Sequence, residues 1–207
     1  MEIIDISPTI SKAIAVWPGD TPFARDVLMD TDKGDHIGLS KIQSTLHLGA
    51  HTDAPNHYMA GGEGISDRSL HFYFGACQVI ECQVKKGASL QVADVDLSAI
   101  RAPRVIFKTG SFPDPNSWNE DFCSLSAELI DRLAEKKILL VGIDTPSIDP
   151  FSSKDLPAHQ AVAHHNMAIL EGVVLENADA GEYQLCALPL NIRQADASPV
   201  RAVLIKE

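Results

Sequence analysis

Two short apolar runs on either side of an amphipathic segment constrain the fold of this chain more than any other feature. The runs at 104–109 and 138–143 have the length and composition of buried β-strands. The segment between them, 126–137, repeats apolar residues at helical spacing. These residues are Leu129, Ile130, Leu133 and Ala134. We therefore predict a strand, a helix and a second strand in succession, which places the chain in the α/β class.

The rest of the chain predicts more strands than helices. Turn residues occur at Trp17–Asp20, and a loop is expected at Gly61–Gly64. A second helix is predicted over about 158–169. Further strands are predicted at 2–7, 37–46, 75–84, 173–175, 183–190 and 200–206. We expect a mixed sheet that curls into a partial barrel, with two or three helices against it.

Length and composition fit one domain over 1–207. A chain of 207 residues can bury a substantial core, and 45% hydrophobic with 22% charged residues is ordinary for a globular protein. The cysteines, at 77, 82, 123 and 186, match no zinc-ribbon or Cys-x-x-Cys spacing. We expect them to be free and partly buried thiols.

The chain is acidic, with a net charge of −11 and a pI near 5.1. An acidic surface repels phosphate backbones, so we expect no nucleic-acid partner. A small anionic substrate stays compatible with this charge, because a bound metal can reverse the local field. The N-terminal stretch lacks the regions of a signal peptide, and no apolar run has the length of a membrane span. We expect a cytoplasmic protein.

Three of the eight histidines fall within eleven residues, in the stretch His-Leu-Gly-Ala-His-Thr-Asp-Ala-Pro-Asn-His. The polar members of this segment are His47, His51, Asp53 and His57. Imidazole nitrogen and carboxylate oxygen are the ligands of catalytic zinc and similar divalent ions. A lone histidine is more often a surface or core residue, but this combination favours a metal site.

Geometry limits the conformation of this segment. In a helix, His47 and His51 share a face while Asp53 is turned roughly 120° away. In an extended strand the two histidines lie about 13 Å apart, too far to share one ion comfortably. We therefore predict a bend at Gly49-Ala50, with Pro55 preventing a helix from running through the segment. The segment is then a ligand loop at the end of a strand.

Further candidate ligands lie downstream. They are His159, His164, His165 and Glu171. On one continuous helix, His159 and Glu171 would lie about 18 Å apart along the axis, so they could share an ion only if the helix ended between them. The residues alone leave the choice among the three histidines open.

The histidine-rich segment resembles the His-x-Gly-Thr-His-x-Asp-x-Pro-x-His signature of the cyclase-like metal hydrolase family. Ala50 departs from it, since threonine often stands there. Other segments resemble the bacterial kynurenine formamidases (arylformamidases) within that family, and the resemblance extends from near residue 3 to the C-terminus. These segments are Trp17–Pro22, Asp144–Ser147, Leu156–His159 and Leu170–Gly172.

The resemblance implies a swivelling β/α/β layered domain, a homodimer and a site for two metal ions. The ions are usually zinc, with Mn²⁺ or another divalent ion as the alternative. His47, His51 and Asp53 would hold the first ion. The second would take Asp53 and His159, and Glu171 would serve both. His164 and His165 would then not be ligands.

The resemblance also implies the reaction, in which N-formyl-L-kynurenine and water give L-kynurenine and formate during tryptophan degradation. His57 would donate and accept the proton, and Trp17 would contact the substrate, although a tryptophan there can equally be a core residue. One alternative is a hydrolase of isatin or another cyclic amide in the same family. A metal-binding protein without catalysis is a second. A serine hydrolase is disfavoured, because the chain has no Gly-x-Ser-x-Gly motif.

Overall fold

Residues 1–206, which the computed structural model describes, form thirteen β-strands and three α-helices. The strands are β1 (Glu2–Asp5), β2 (Ala24–Met29), β3 (Leu39–Gln43), β4 (His51–Asp53), β5 (Phe74–Glu81), β6 (Ser89–Leu90), β7 (Arg104–Lys108), β8 (Ser124–Leu125), β9 (Leu140–Ile143), β10 (Ala168–Leu170), β11 (Gly181–Cys186), β12 (Ala197–Pro199) and β13 (Val203–Lys206). The helices are α1 (Pro55–Tyr58), α2 (Ala127–Glu135) and α3 (Pro157–His164). Short 3-10 turns lie at Thr31–Lys33, Ile65–Asp67, Leu70–Phe72, Val92–Asp94 and Leu97–Ala99.

Seven strands form one mixed sheet in the order β1-β13-β11-β5-β7-β9-β10. In one part of the sheet, β5, β7, β9 and β10 pair in parallel. In the other part, β1, β13, β11 and β5 pair antiparallel. Two-stranded pairs form between β12 and β4, between β2 and β3, and between β6 and β8. This arrangement confirms the predicted mixed α/β fold with a mixed sheet.

The parallel strands are buried on both faces. In β7, Val105 and Phe107 belong to the core that includes the helix α2 side chains, whereas Ile106 belongs to the core on the other face. Helix α2 begins where the sequence predicts it, because the Ser126 hydroxyl accepts a hydrogen bond from the Leu129 backbone amide. The apolar stripe of α2 covers one face of the sheet. All four cysteines are free, as expected, and three of them are buried.

Two predictions about the C-terminal half are wrong. Helix α3 ends at His164 instead of continuing to 169, and Asn166 then has a left-handed backbone with φ of +50°. The next residues form β10, which pairs in parallel with β9 and gains sheet hydrogen bonds that a longer helix would forgo. The predicted strand at 173–175 is irregular chain. Within residues 1–206, no helix is long and apolar enough to cross a membrane.

Strand β2 was not predicted, and neither were the short strands β4, β6, β8 and β12. The predicted strand at 37–46 is limited to β3, which forms a hairpin with β2. Every residue of β3 is exposed, and most residues of β2 are exposed as well. Strand β2 therefore lacks the alternating burial by which a half-buried strand is recognised.

Two glycines allow the histidine-rich segment to approach the chain that follows β10. Gly49 and Gly172 both have positive φ, +57° and +65°. A Cβ atom at Gly172 would overlap the carbonyl oxygen of Gly49. Only glycine satisfies both the backbone conformation and the close contact at residue 172.

We predict that Gly172→Ala destabilises the protein by about 1–3 kcal/mol more than Gly110→Ala, through overpacking. Gly110 has nearly the same φ, +64°, so the cost of a left-handed alanine cancels in the comparison. At Gly110 an added Cβ meets nothing within 4 Å. Urea unfolding of the two variants measures the difference in the free energy of unfolding. Equal destabilisation would show that the loops do not depend on this contact.

Candidate metal centre

The histidine-rich segment bends where the sequence predicts it. Gly49 provides the left-handed backbone, and β4 follows, paired antiparallel with β12. Because side chains alternate along a strand, His51 and Asp53 lie on one face of β4. Thr52 lies on the other face and donates its hydroxyl hydrogen to the Ile169 carbonyl at 2.6 Å. Pro55 then begins the short helix α1, which contains His57 but does not extend back to His51 and Asp53.

The early end of α3 brings the downstream candidates together. Glu171 directly follows β10, and its backbone pairs with His51 through two hydrogen bonds of 2.9 and 3.0 Å. His159 lies in the first turn of α3. His164 is exposed, and the Nε2 of His165 lies 2.8 Å from Asp131. The structure therefore places His159, and neither of the two later histidines, beside Glu171.

Four side chains converge around the Asp53 carboxylate. Oδ1 of Asp53 lies 3.0 Å from His47 Nδ1 and 3.5 Å from His51 Nε2, and Oδ2 lies 3.3 Å from His159 Nε2. The Glu171 carboxylate is 3.2 Å from His51 Nε2 and 3.6 Å from His159 Nε2. Two overlapping groups result, one of His47, His51 and Asp53 and the other of Asp53, His159 and Glu171, each with ligand atoms within 4.8 Å.

The nitrogen and oxygen atoms of this cluster are arranged to bind a metal ion rather than to form hydrogen bonds with one another. Both carboxylate oxygens of Asp53 and Nε2 of His51 are buried and have no hydrogen-bond partner among residues 1–206, although they lie close together. Buried polar atoms are normally hydrogen-bonded, and an unpaired buried carboxylate is costly. Imidazole nitrogens and carboxylate oxygens that lie this close together form the ligand set of zinc and related ions.

Charges within the cluster favour cations. Burial opposes ionisation of Asp53, but the His47, His159 and His51 side chains outweigh burial and hold the pKa of this carboxyl well below its usual range. Burial also opposes protonation of His47 and His159. Neighbouring carboxylates outweigh it and raise the pKa of His47 to about 9 and that of His159 to about 10. The carboxylates therefore attract positive charge into a buried site.

Each histidine of the cluster is held through its other ring nitrogen. Nδ1 of His51 contacts the Gly49 carbonyl at 2.9 Å, and Nδ1 of His159 contacts Asp149 at 2.7 Å. Nε2 of His47 contacts Asp196 at 3.1 Å. A ring nitrogen that donates its hydrogen to such an oxygen leaves the opposite nitrogen free for a metal.

His57 lies at the edge of the cluster. Its ring centroid is 4.2 Å from that of His47 and 6.2 Å from that of His159. Within residues 1–206, His57 has no hydrogen bond to another side chain. His57 is exposed, but desolvation by the surrounding protein atoms lowers its pKa below the usual value. The ring is therefore close to the candidate ligands and outside the two groups that contain Asp53, although it forms a third group with His47 and Asp196.

A cavity of about 490 Å³ adjoins the cluster. Trp17 lines this cavity, together with Phe112 and Trp118. The Trp17 ring packs 5.2 Å from Trp118 and 5.1 Å from Phe151, between ring centroids. Trp17 thus lines the cavity and also packs in an aromatic cluster. Its position is compatible both with substrate contact and with a role as a core residue.

The sequence analysis missed several of these residues. They are Phe112, Trp118, Asp149 and Asp196. The chain has 28 acidic residues, and no sequence motif distinguishes Asp149 or Asp196 from the rest. Their proximity to the histidines arises from the pairing of β12 with β4 and from the start of α3. Local sequence patterns do not reveal such long-range contacts.

Comparisons with known proteins bear on the family and the fold of the chain. A family model described as Putative cyclase matches residues 4–150. A solved structure described as a potential metal-dependent hydrolase with cyclase activity is 25% identical, with a TM-score of 0.85, over 98% of this chain and 96% of its own. One described as a predicted metal-dependent hydrolase from Bacillus stearothermophilus is 25% identical, with a TM-score of 0.81, over 98% and 97%.

Isatin hydrolase A from Labrenzia aggregata, bound to benzyl benzoate, shares the fold at 19% identity. Its TM-score is 0.82, and the match covers 100% of this chain and 94% of its own. The family model spans more than half of the chain. The chain therefore belongs to the cyclase family that this model describes.

Proposed function

We propose that the protein is a metal-dependent hydrolase with two divalent ions, zinc by preference, that converts N-formyl-L-kynurenine and water to L-kynurenine and formate. The observation that carries this proposal is the buried Asp53 carboxylate, whose unpaired oxygens lie between three histidines and Glu171. The relatives described as metal-dependent hydrolases support the hydrolase class. The formamidase resemblance of the sequence supports the substrate.

Two ions would be held by five side chains. His47 and His51 would hold one ion and His159 the other, while the carboxylates of Asp53 and Glu171 would be shared. Such ions lower the pKa of water and stabilise negative charge that develops on a carbonyl oxygen. The Ile148 backbone amide donates to Oε1 of Glu171 at 2.7 Å, which fixes the orientation of that carboxylate.

His57 is the residue that we propose to move the proton. Hydrolysis breaks the C–N bond of the formamide and joins a water oxygen to the formyl carbon. One proton of that water must reach the departing aryl amine nitrogen. His57 borders the cavity and lies beside the metal ligands, so one imidazole can accept this proton and then donate it.

The aromatic wall is the surface that we propose to hold the substrate ring. The side chains of Trp17, Trp118 and Phe112 line one cavity and present apolar surface to it. Aromatic contacts of this kind contribute about 0.5–1.5 kcal/mol beyond simple burial. His57 lines the same cavity, so a ring held on this wall would place its formamide group in the cavity that His57 borders.

The second candidate function is ring opening of isatin or a related cyclic amide. The structural similarity to an isatin hydrolase supports it, and so does the charge of the cavity. Among residues 1–206, no lysine or arginine lines the cavity, whereas Asp20 and Asp144 do. The α-ammonium group of N-formylkynurenine could meet these carboxylates, but its carboxylate has no cationic side chain to meet there, whereas neutral isatin needs no charged partner.

We also propose that the protein forms a homodimer and acts in the cytoplasm on this small substrate, without nucleic acid or membrane. The hairpin of β2 and β3 supports the dimer. Its exposed apolar side chains are Val27, Leu28, Ile37, Leu39 and Ile42. An isolated two-stranded hairpin is marginally stable in water, and exposed apolar patches mark interaction surfaces.

We predict that zinc-loaded protein retains close to two ions per chain after excess metal is removed. Glu171→Ala should lower both the metal content and the rate of hydrolysis, because it removes oxygens that lie near two histidines. Glu176→Ala is the matched control, since Glu176 is exposed and lies outside the cavity. Elemental analysis gives the metal content. A value near zero in the unmodified protein would contradict the proposal.

We predict that His57→Ala retains the metal and lowers kcat by about 10²- to 10⁴-fold, the usual contribution of general acid–base catalysis. His164→Ala is the control, because His164 is a nearby histidine on the exposed side of α3. Metal content and turnover are measured on the same samples. Parallel loss of metal and turnover would make His57 a ligand, and normal turnover would exclude it from the reaction.

We predict that N-formyl-L-kynurenine is hydrolysed with a higher kcat/KM than isatin or aliphatic formamides. An aryl amine leaves more readily than an alkyl amine, which favours the aryl substrate over aliphatic formamides, and the expected preference over isatin rests on the formamidase resemblance of the sequence. Trp17→Ala should raise KM for the aryl formamide more than for formamide, whereas Trp17→Phe, which keeps a flat ring, should retain most of the preference. Faster hydrolysis of isatin would favour the second candidate. Equal effects on aryl and alkyl substrates would make Trp17 a core residue only.

A further inference from the structure

The His47 ring lies between two carboxylates. Nδ1 of His47 is 3.0 Å from Oδ1 of Asp53, and Nε2 is 3.1 Å from Oδ2 of Asp196. His47 is also the most exposed of the three candidate histidine ligands, with 18% of its side chain accessible, against 4% for His51 and 3% for His159. Packing alone therefore fixes its ring less firmly than the rings of the other two.

We propose that Asp196 is a positioning residue that holds His47 in the orientation required to bind one of the two ions. The carboxylate accepts the Nε2 hydrogen of His47, which leaves the Nδ1 lone pair directed at the space beside Asp53. This tautomer and orientation are those that a metal ligand requires, and a carboxylate partner also makes the imidazole a stronger ligand. The inference rests on the proposed two-ion site.

The backbone fixes the position of Asp196. Its carbonyl accepts a hydrogen bond of 2.8 Å from the Ala54 amide, and Ala54 directly follows Asp53. The next residue, Ala197, pairs with Asp53 in the β12–β4 ladder. The strand that presents Asp53 to the metal therefore also sets the position of Asp196 opposite His47.

Asp149 provides a comparison within the same site. It contacts His159 Nδ1 at 2.7 Å, but it also accepts the backbone amides of Ala158 and His159 at the start of α3. Its removal would disturb the helix as well as the ring. Among residues 1–206, the Asp196 carboxylate has His47 as its one hydrogen-bond partner, and the Asp196 side chain is 49% accessible. Substitution of Asp196 therefore tests the contact with less effect on folding.

The test is a titration of metal-free protein with zinc in competition with a chromogenic chelator, so that the affinity of each ion is measured separately. In Asp196→Ala we expect one ion to bind about 10- to 100-fold more weakly, the usual effect of losing such a partner, while the other keeps its affinity. Asp196→Asn retains an oxygen that can accept the Nε2 hydrogen but lacks the charge, so its effect should be smaller. Asp179→Asn, at an exposed position outside the cavity, is the control and should bind zinc as the unmodified protein does.

Three outcomes would overturn this inference while the unmodified protein still binds two ions. Both ions could retain their affinity in Asp196→Ala, or both could weaken equally. Alternatively, the substitution could remove only a third, weaker ion, since His47, His57 and Asp196 also form a group with ligand atoms within 4.8 Å. If the unmodified protein binds no zinc, the proposed function fails as well. If Asp196→Ala does not fold, the same criteria apply to Asp196→Asn, whose side chain has nearly the same shape.

Discussion

The rest of the site depends on one buried carboxylate. Asp53 is 1% accessible, carries negative charge, and has neither oxygen paired by a hydrogen bond within residues 1–206. Such a group is costly to bury unless positive charge lies beside it. His47 and His159, whose pKa values are raised, supply that charge when they are protonated, and divalent ions would supply it when the surrounding histidines are neutral ligands. The Asp53 oxygens thus form part of the binding site, and their buried negative charge is the reason that the site attracts cations.

The fold brings these ligands together from distant parts of the chain. Glu171 directly follows β10, and Asp144, at the cavity, directly follows β9. The site therefore lies at the carboxyl ends of parallel strands, where crevices of α/β sheets commonly bind ligands. The His51 backbone pairs with Glu171, so the short strand β4 joins the histidine-rich segment to that edge. Gly172 makes this junction possible, because a larger residue would meet Gly49.

Local patterns predicted those parts of the molecule that depend on local physics. The apolar stripe of α2 and the bend at Gly49 follow from residue type and spacing. The end of α3 depends instead on pairing between β10 and β9, which no local pattern records. The same limit applies to Asp196, whose partner His47 lies 149 positions away in the sequence. For the choice of His159 over His164 and His165, the sequence supplied only a family resemblance, and the structure supplies the contacts.

The central claim is that two ions share Asp53 and Glu171. Anomalous diffraction from crystals of zinc-loaded protein, measured on both sides of the zinc absorption edge, tests it most directly. The account predicts two peaks in each chain, one beside His47 and His51 and the other beside His159, with Asp53 between them. A single peak, or zinc bound only at His57 and Asp196, would contradict it.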